Sequence, residues 1–161
     1  MIYIIGLNHG YQSLTDVWPP IIVGTPLENR SKTRQIPFQK WLKTQLQGNN
    51  KLLWIFEEWT YGNQQTPSIA FSLIEELDLD IQYLQIDPKT RPYRAKEENG
   101  EYREQIWIEK ILSSFNTANA GDALLIVGDD HVESLRLKLE SLGYQTKCTR
   151  EVSLLEYLDL P

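Results

Sequence analysis

This 161-residue chain predicts an α/β fold: a single domain with a mostly parallel sheet of four or five strands and helices on both faces. Three observations carry that expectation. The length suits one compact domain and leaves little room for a second core, so the predicted domain spans residues 1–161. Apolar runs of strand length alternate four times with segments of helical period, the pattern of parallel strands joined by crossover helices. The runs are also nearly continuous in apolar residues, as strands buried on both faces must be.

The elements follow in order. Ile2-Tyr3-Ile4-Ile5, ended by Gly6, reads as the first strand. Phe38, Trp41, Leu42 and Leu46 recur at three and four residues before Gly48, which predicts a helix from about Thr33 to Gln47. Lys51 to Phe56 is the second strand. Thr66 as N-cap and Pro67 at the first helical position open a helix that runs to Leu77. Ile81 to Ile86, stopped by Asp87-Pro88, is the third strand, and Tyr102 to Phe115 is a helix carrying Ile106, Ile108, Ile111, Leu112 and Phe115. Ala123 to Val127, ended by Gly128, is the fourth strand. The last helix runs from about His131 to Leu142 and stops at Gly143, a C′ glycine, and Tyr144 to Cys148 is an edge strand.

Composition narrows the function classes. With 41% apolar and 24% charged residues the chain is neither disordered nor fibrous. A single cysteine, Cys148, allows no internal disulfide and no cysteine-based metal cage. No apolar run approaches the ~18 residues of a membrane span. Met1 leads directly into a strand pattern without a basic leader, so a cytoplasmic protein with no membrane partner is expected. Sixteen cations against twenty-two acids give a net charge of −6, which argues against general nucleic-acid binding. The cations are nevertheless segregated. Arg30, Lys32, Arg34, Lys40, Lys43 and Lys51 share one acid-free stretch, and Lys89, Arg91, Arg94 and Lys96 share another.

In open parallel sheets ligands bind at the carboxyl ends of the strands, where strand order reverses. Gly6-Leu7-Asn8-His9 follows the first strand and Gly128-Asp129-Asp130-His131 follows the fourth, and these use both histidines of the chain. In each, the glycine allows a sharp turn and sets the imidazole towards the crevice. A strand order of 3-2-1-4 would make the two strands neighbours and bring the imidazoles together. Asp130 and Glu133 have the spacing of a capping box, which leaves Asp129 as the freer carboxylate. The second strand ends in Glu57-Glu58. Adjacent residues of a strand point to opposite faces, so only one can enter the crevice, and Glu57 is the expected one because it continues the buried run. Two imidazoles and one carboxylate compose either a metal site or a general base with its partners.

These residues resemble the superfamily that unites TraB/TIKI-type, erythromycin esterase-like and ChaN-like proteins. Its pattern is two Gly-x-x-His motifs, a glutamate after an intervening strand and an arginine ahead of the second motif. Here these positions look like Gly6 to His9, Glu57 or Glu58, Arg103, and Gly128 to His131. The esterase-like and ChaN-like branches usually have Gly-Glu-x-His in the first motif, where this chain has Leu7. The resemblance implies an α/β domain and a hydrolase site with His9, Glu57, Arg103 and His131 as catalytic residues, and Asp129, the freer carboxylate, is expected to assist them. His9, His131 and Glu57 would hold a divalent metal such as Mn, Zn or Co, or activate water. Arg103 would stabilise developing negative charge.

Two connections are long for this fold, Gly10 to about Lys32 and Asp87 to about Gly100, and both follow strands. They put Arg30, Arg91 and Arg94 at the rim of the crevice, which with Asn8 and Glu58 are the expected substrate contacts. The expected substrate is an anionic small molecule, or a peptide or ester. The competing expectation is a non-catalytic module that binds, in the same crevice, a nucleotide-like anion or haem, the latter implied by the resemblance to the ChaN-like branch. The sequence leaves the oligomeric state open.

Overall fold

A computed structural model describes residues 1–7, 38–59, 67–88, 96–115 and 121–150. The elements are β1 (Ile2–Leu7), α1 (38–48), β2 (Leu52–Glu57), α2 (Ile69–Leu77), β3 (Gln82–Gln85), α3 (Lys96–Ser114), β4 (Asp122–Gly128), β5 (Thr146–Arg150) and, between β4 and β5, a 3-10 turn (Asp129–His131) that leads into α4 (Val132–Ser141). The five strands form one all-parallel sheet in the order β3-β2-β4-β1-β5. The fold is α/β, as expected. The expected strand order is corrected: β4 lies between β2 and β1, so β1 and β4 are neighbours but β1 and β2 are not.

The alternation of side chains along each strand divides the core in two. Ile5 and Leu7 of β1 and Leu124 and Ile126 of β4 face α1 and α2, where they pack with Phe38, Leu42, Leu46, Ile69, Leu73 and Ile74. Ile2 and Ile4 of β1 and Leu125 and Val127 of β4 face α3 and α4, meeting Trp107, Ile108, Ile111, Leu135 and Leu139. In β2 the register shifts between Leu52 and Trp54, so Leu52 and Ile55 share a face despite their odd spacing.

The helix on one face follows β1 and β2, and the helix on the other follows β3 and β4. β4 is therefore flanked by β2 and β1, whose outgoing helices lie on the opposite face from its own. This is the reversal at which a crevice opens in such sheets. Gly6 pairs with Val127 and Leu7 with Gly128, so β1 and β4 reach their carboxyl ends together.

Several element boundaries differ from expectation for physical reasons. The cap of α2 is Ser68, whose hydroxyl accepts from the Phe71 amide, and not Thr66. Helix α3 begins at Lys96 and not at the expected Tyr102; its first turns are polar, so the sequence carries no apolar period there to read. The helix thereby turns part of an expected loop into helix. The expected Asp130–Glu133 capping box does not form: neither Gly128, before the turn, nor His131, before α4, makes a side-chain cap bond, and Glu133 instead holds Arg136 at 2.6 and 3.1 Å. Gly143 does close α4, with φ of 87° and with bonds from Gly143 N to Glu140 O and from Tyr144 N to Leu139 O.

Candidate functional site

The carboxyl edge on the α3/α4 face is built around one helical stripe. Glu104, Trp107, Ile108 and Ile111 of α3 and Phe115 just after it recur at three and four residues, and all are buried. Burying a full aliphatic side chain contributes about 1.5–3 kcal/mol, so an acid in such a stripe must be held by compensating partners. Glu104 has three, all from the chain that turns into and forms α4. His131 Nδ1 lies 2.7 Å from Oε1, and Ser134 Oγ and Lys138 Nζ donate to Oε2 at 2.5 and 2.8 Å. Burial works to raise the pKa of Glu104, but the bonds from His131, Lys138 and Ser134 outweigh it and hold the group at about 2.

One residue earlier, Arg103 reaches the strand ends. Its Nε donates to Asp87 Oδ1 at 2.8 Å and its Nη2 to Glu58 Oε1, and both carboxylates are buried. Burial works to lower the pKa of Arg103, but the charge of Glu58 and the bond to Asp87 prevail and raise it. Glu58 Oε2 in turn accepts the Gly128 amide at 2.7 Å, which ties the arginine to the first residue of the second Gly-x-x-His motif. Lys110 adds a cation nearby, donating to the carbonyls of Ile86 and Gln85, and burial lowers its pKa against the opposing charge of Asp87.

Trp107 joins the two clusters. The Arg103 guanidinium lies over its ring at 4.8 Å, and the His131 ring meets it edge-on at 4.9 Å. His131 Nε2 takes no hydrogen bond among the described residues. Gly100 stands beside it, since a Cβ there would lie 3.8 Å from His131 Cε1.

Glu57 and Glu58 do point to opposite faces. The one that meets Arg103 is Glu58, whereas Glu57 lies on the α1/α2 face. There its Oε2 accepts from the hydroxyls of Ser68 at 2.5 Å and Tyr83 at 2.6 Å. A site that contains Arg103 and His131 on one face therefore takes Glu58, the residue just after β2, as its carboxylate, in place of the expected Glu57.

Gly6 serves close approach and not a turn, because it lies inside β1. A Cβ there would stand 2.5 Å from Asp129 Oδ1 and from Val132 Cγ2. Asp129 Oδ1 is consequently buried against β1, and it has no hydrogen-bond partner among the described residues. Leu7, which follows Gly6 in the first Gly-x-x-His motif, is buried in the α1/α2 core. His9, Asn8, Arg30, Arg91 and Arg94 lie outside the described residues, so the pairing of the two histidines and the basic rim do too. Among the described residues no group of three or more His, Cys, Asp or Glu side chains is arranged to hold a metal ion. No helix among them is long and apolar enough to cross a membrane.

Sequence reasoning missed Glu104, Asp87, Trp107, Ser134 and Lys138. The signal for Glu104 was present: it stands four residues before Ile108 on the same stripe as Ile111 and Phe115, an acid at a core position. Compared with protein-family models, with curated proteins and with solved structures, the chain has no significant match.

Proposed function

We propose that the chain is a hydrolase whose site lies on the α3/α4 face at the carboxyl edge of the sheet. The carrying observation is that Arg103 and His131 stand against one ring, Trp107, with His131 Nε2 free of hydrogen bonds among the described residues. In this reading His131 takes a proton from water or from a substrate group, and Arg103, held by Glu58 and Asp87, supplies a fixed positive charge where negative charge develops. Asp129 assists from the same turn. The likeness of the two Gly-x-x-His motifs to the TraB/TIKI and erythromycin esterase-like proteins supports an ester, a peptide or an anionic small molecule as substrate.

The described donors do not by themselves make a metal site, so a bound Mn, Zn or Co ion would need His9 beside His131. Elemental composition of the purified protein, compared with His9→Ala and His131→Ala, tests this; equal metal in all three removes the metal from the reading. Hydrolysis is tested by a screen of esters, peptides and phosphoesters with and without added Mn or Zn ions. Activity lost in His131→Ala supports the hydrolase, and no turnover in any class overturns it.

One observation favours a second reading, a module that binds haem or a nucleotide-like anion without turning it over. Leu7 is part of the core where the esterase-like and ChaN-like branches carry a carboxylate. A haem titration followed by absorption addresses it, and the absence of a histidine-dependent band counts against haem.

A further inference from the structure

We propose that Glu104 is a positioning residue that decides which nitrogen of His131 carries the proton, leaving Nδ1 protonated and Nε2 with an open lone pair. The inference rests on the reading of His131 as the group that accepts a proton.

For a neutral His131 ring the hydrogen-bond inventory around Glu104 allows one solution. Lys138 has donors only, and its ammonium lies 2.8 Å from Oε2; Ser134 donates to the same oxygen at 2.5 Å. That ion pair keeps the carboxylate ionised, and an ionised carboxylate only accepts. Oε1 is 2.7 Å from His131 Nδ1, a separation that two acceptors would not tolerate, so Nδ1 must bear the hydrogen. In the neutral ring Nε2 is then the acceptor. The same arrangement fixes the ring plane, with Trp107 edge-on at 4.9 Å closing one side. Nε2 is left as the one nitrogen that a water, a substrate hydroxyl or a metal ion can use, as with carboxylate-oriented histidines generally.

Substitution by glutamine separates orientation from structure. In Glu104→Gln the amide oxygen must stay with Lys138, which cannot accept a bond, so the amide NH2 turns to His131. Nδ1 must then accept, and the proton moves to Nε2. The side chain keeps its length and its bonds to α4, but the nitrogen facing outwards changes from acceptor to donor. An equivalent reversal in a carboxylate–histidine pair lowers kcat by up to about 10⁴ with geometry intact.

The 161-residue chain has two histidines, so a 15N-labelled His9→Ala background leaves the His131 ring as the only imidazole in a long-range 1H–15N correlation spectrum. Spectra are taken on the high-pH plateau, where the ring is neutral and its signals no longer move. We expect a protonated Nδ1 and a bare Nε2 with Glu104 present, and the reverse in Glu104→Gln with an unchanged circular dichroism spectrum. A protonated Nε2 with Glu104 present overturns the proposal, and so does a folded Glu104→Gln protein that retains a protonated Nδ1. If Glu104→Gln does not fold, the spectrum with Glu104 present decides alone. For any substrate found by the hydrolase screen, Glu104→Gln in the otherwise unaltered chain should lower kcat by about 10²–10⁴ with little change in KM. An inactive protein with the expected tautomer would overturn the hydrolase reading only, and an active one with the opposite tautomer would overturn this inference only.

Discussion

Arg103 is a half-buried cation with two buried carboxylates, Asp87 at 2.8 Å from Nε and Glu58 at Nη2. Removing the cation strands both acids, and uncompensated buried charge is among the costliest of single changes. Arg103→Met should lower stability by about 3–5 kcal/mol in urea unfolding. Arg103→Lys should recover little of this, because an ammonium cannot present two fixed N–H groups along one edge. Gly6 makes a second residue-scale demand. Ala at this position would put a methyl 2.5 Å from Asp129 Oδ1 and Val132 Cγ2, so a loss of about 1–3 kcal/mol is expected from overpacking, read as a fall in Tm. Glu104 gives a pH signature. Its folded pKa, about 2, is depressed below the ordinary 4.5, so its contribution to stability is complete above the ordinary value and is lost as pH falls towards the folded one. The stability advantage of the native chain over Glu104→Gln should be constant above about pH 5 and shrink steadily down to about 2. None of these partners was readable from spacing. Arg103 and Glu58 could be singled out as chemistry-bearing types, but which acid met the arginine depended on the face that each residue of Glu57-Glu58 occupies.

Helix α2 begins where three strand-edge groups converge. Ser68 caps the helix by accepting from Phe71 N at 3.1 Å while donating to Glu57 at 2.5 Å, and Tyr83 from β3 donates to the same carboxylate oxygen. Ser68→Ala should cost about 2–3 kcal/mol, more than the ~1 kcal/mol of an ordinary cap, because a buried carboxylate also loses a donor. The cycle of Ser68→Ala with Tyr83→Phe should show non-additivity of about 0.5–3 kcal/mol in chemical unfolding, since both hydroxyls serve one oxygen. At this scale the sequence was most legible in helix interiors. Phe38, Leu42 and Leu46 of α1, Ile108 and Ile111 of α3 and Phe115 just after it are buried as their period requires. Leu112, also expected on that side, is exposed, and the place next to Arg103 and His131 goes to Trp107. Helix starts were less legible because capping depends on local backbone geometry: Asp130 and Glu133 have the spacing of a capping box but form none.

At the scale of the molecule, the alternation of strands and helices was sufficient to anticipate a parallel sheet with two covered faces. The adjacency of β1 and β4 follows from the expected order and from the observed one alike, but by different routes. Sequence periodicity reports which residues are buried and not which strand lies beside which, so the insertion of β4 between β2 and β1 left no trace in it. The same insertion has a consequence in time. On a ribosome β1 emerges first, yet its two neighbours are β4 and β5, with Ile2 opposite Ala123 and Thr146. The earliest strand must therefore wait, both edges open, for nearly the whole described chain to be synthesised. A nascent chain halted after α3 should remain protease-sensitive throughout β1, with protection arising together once residues 122–150 are free of the exit tunnel.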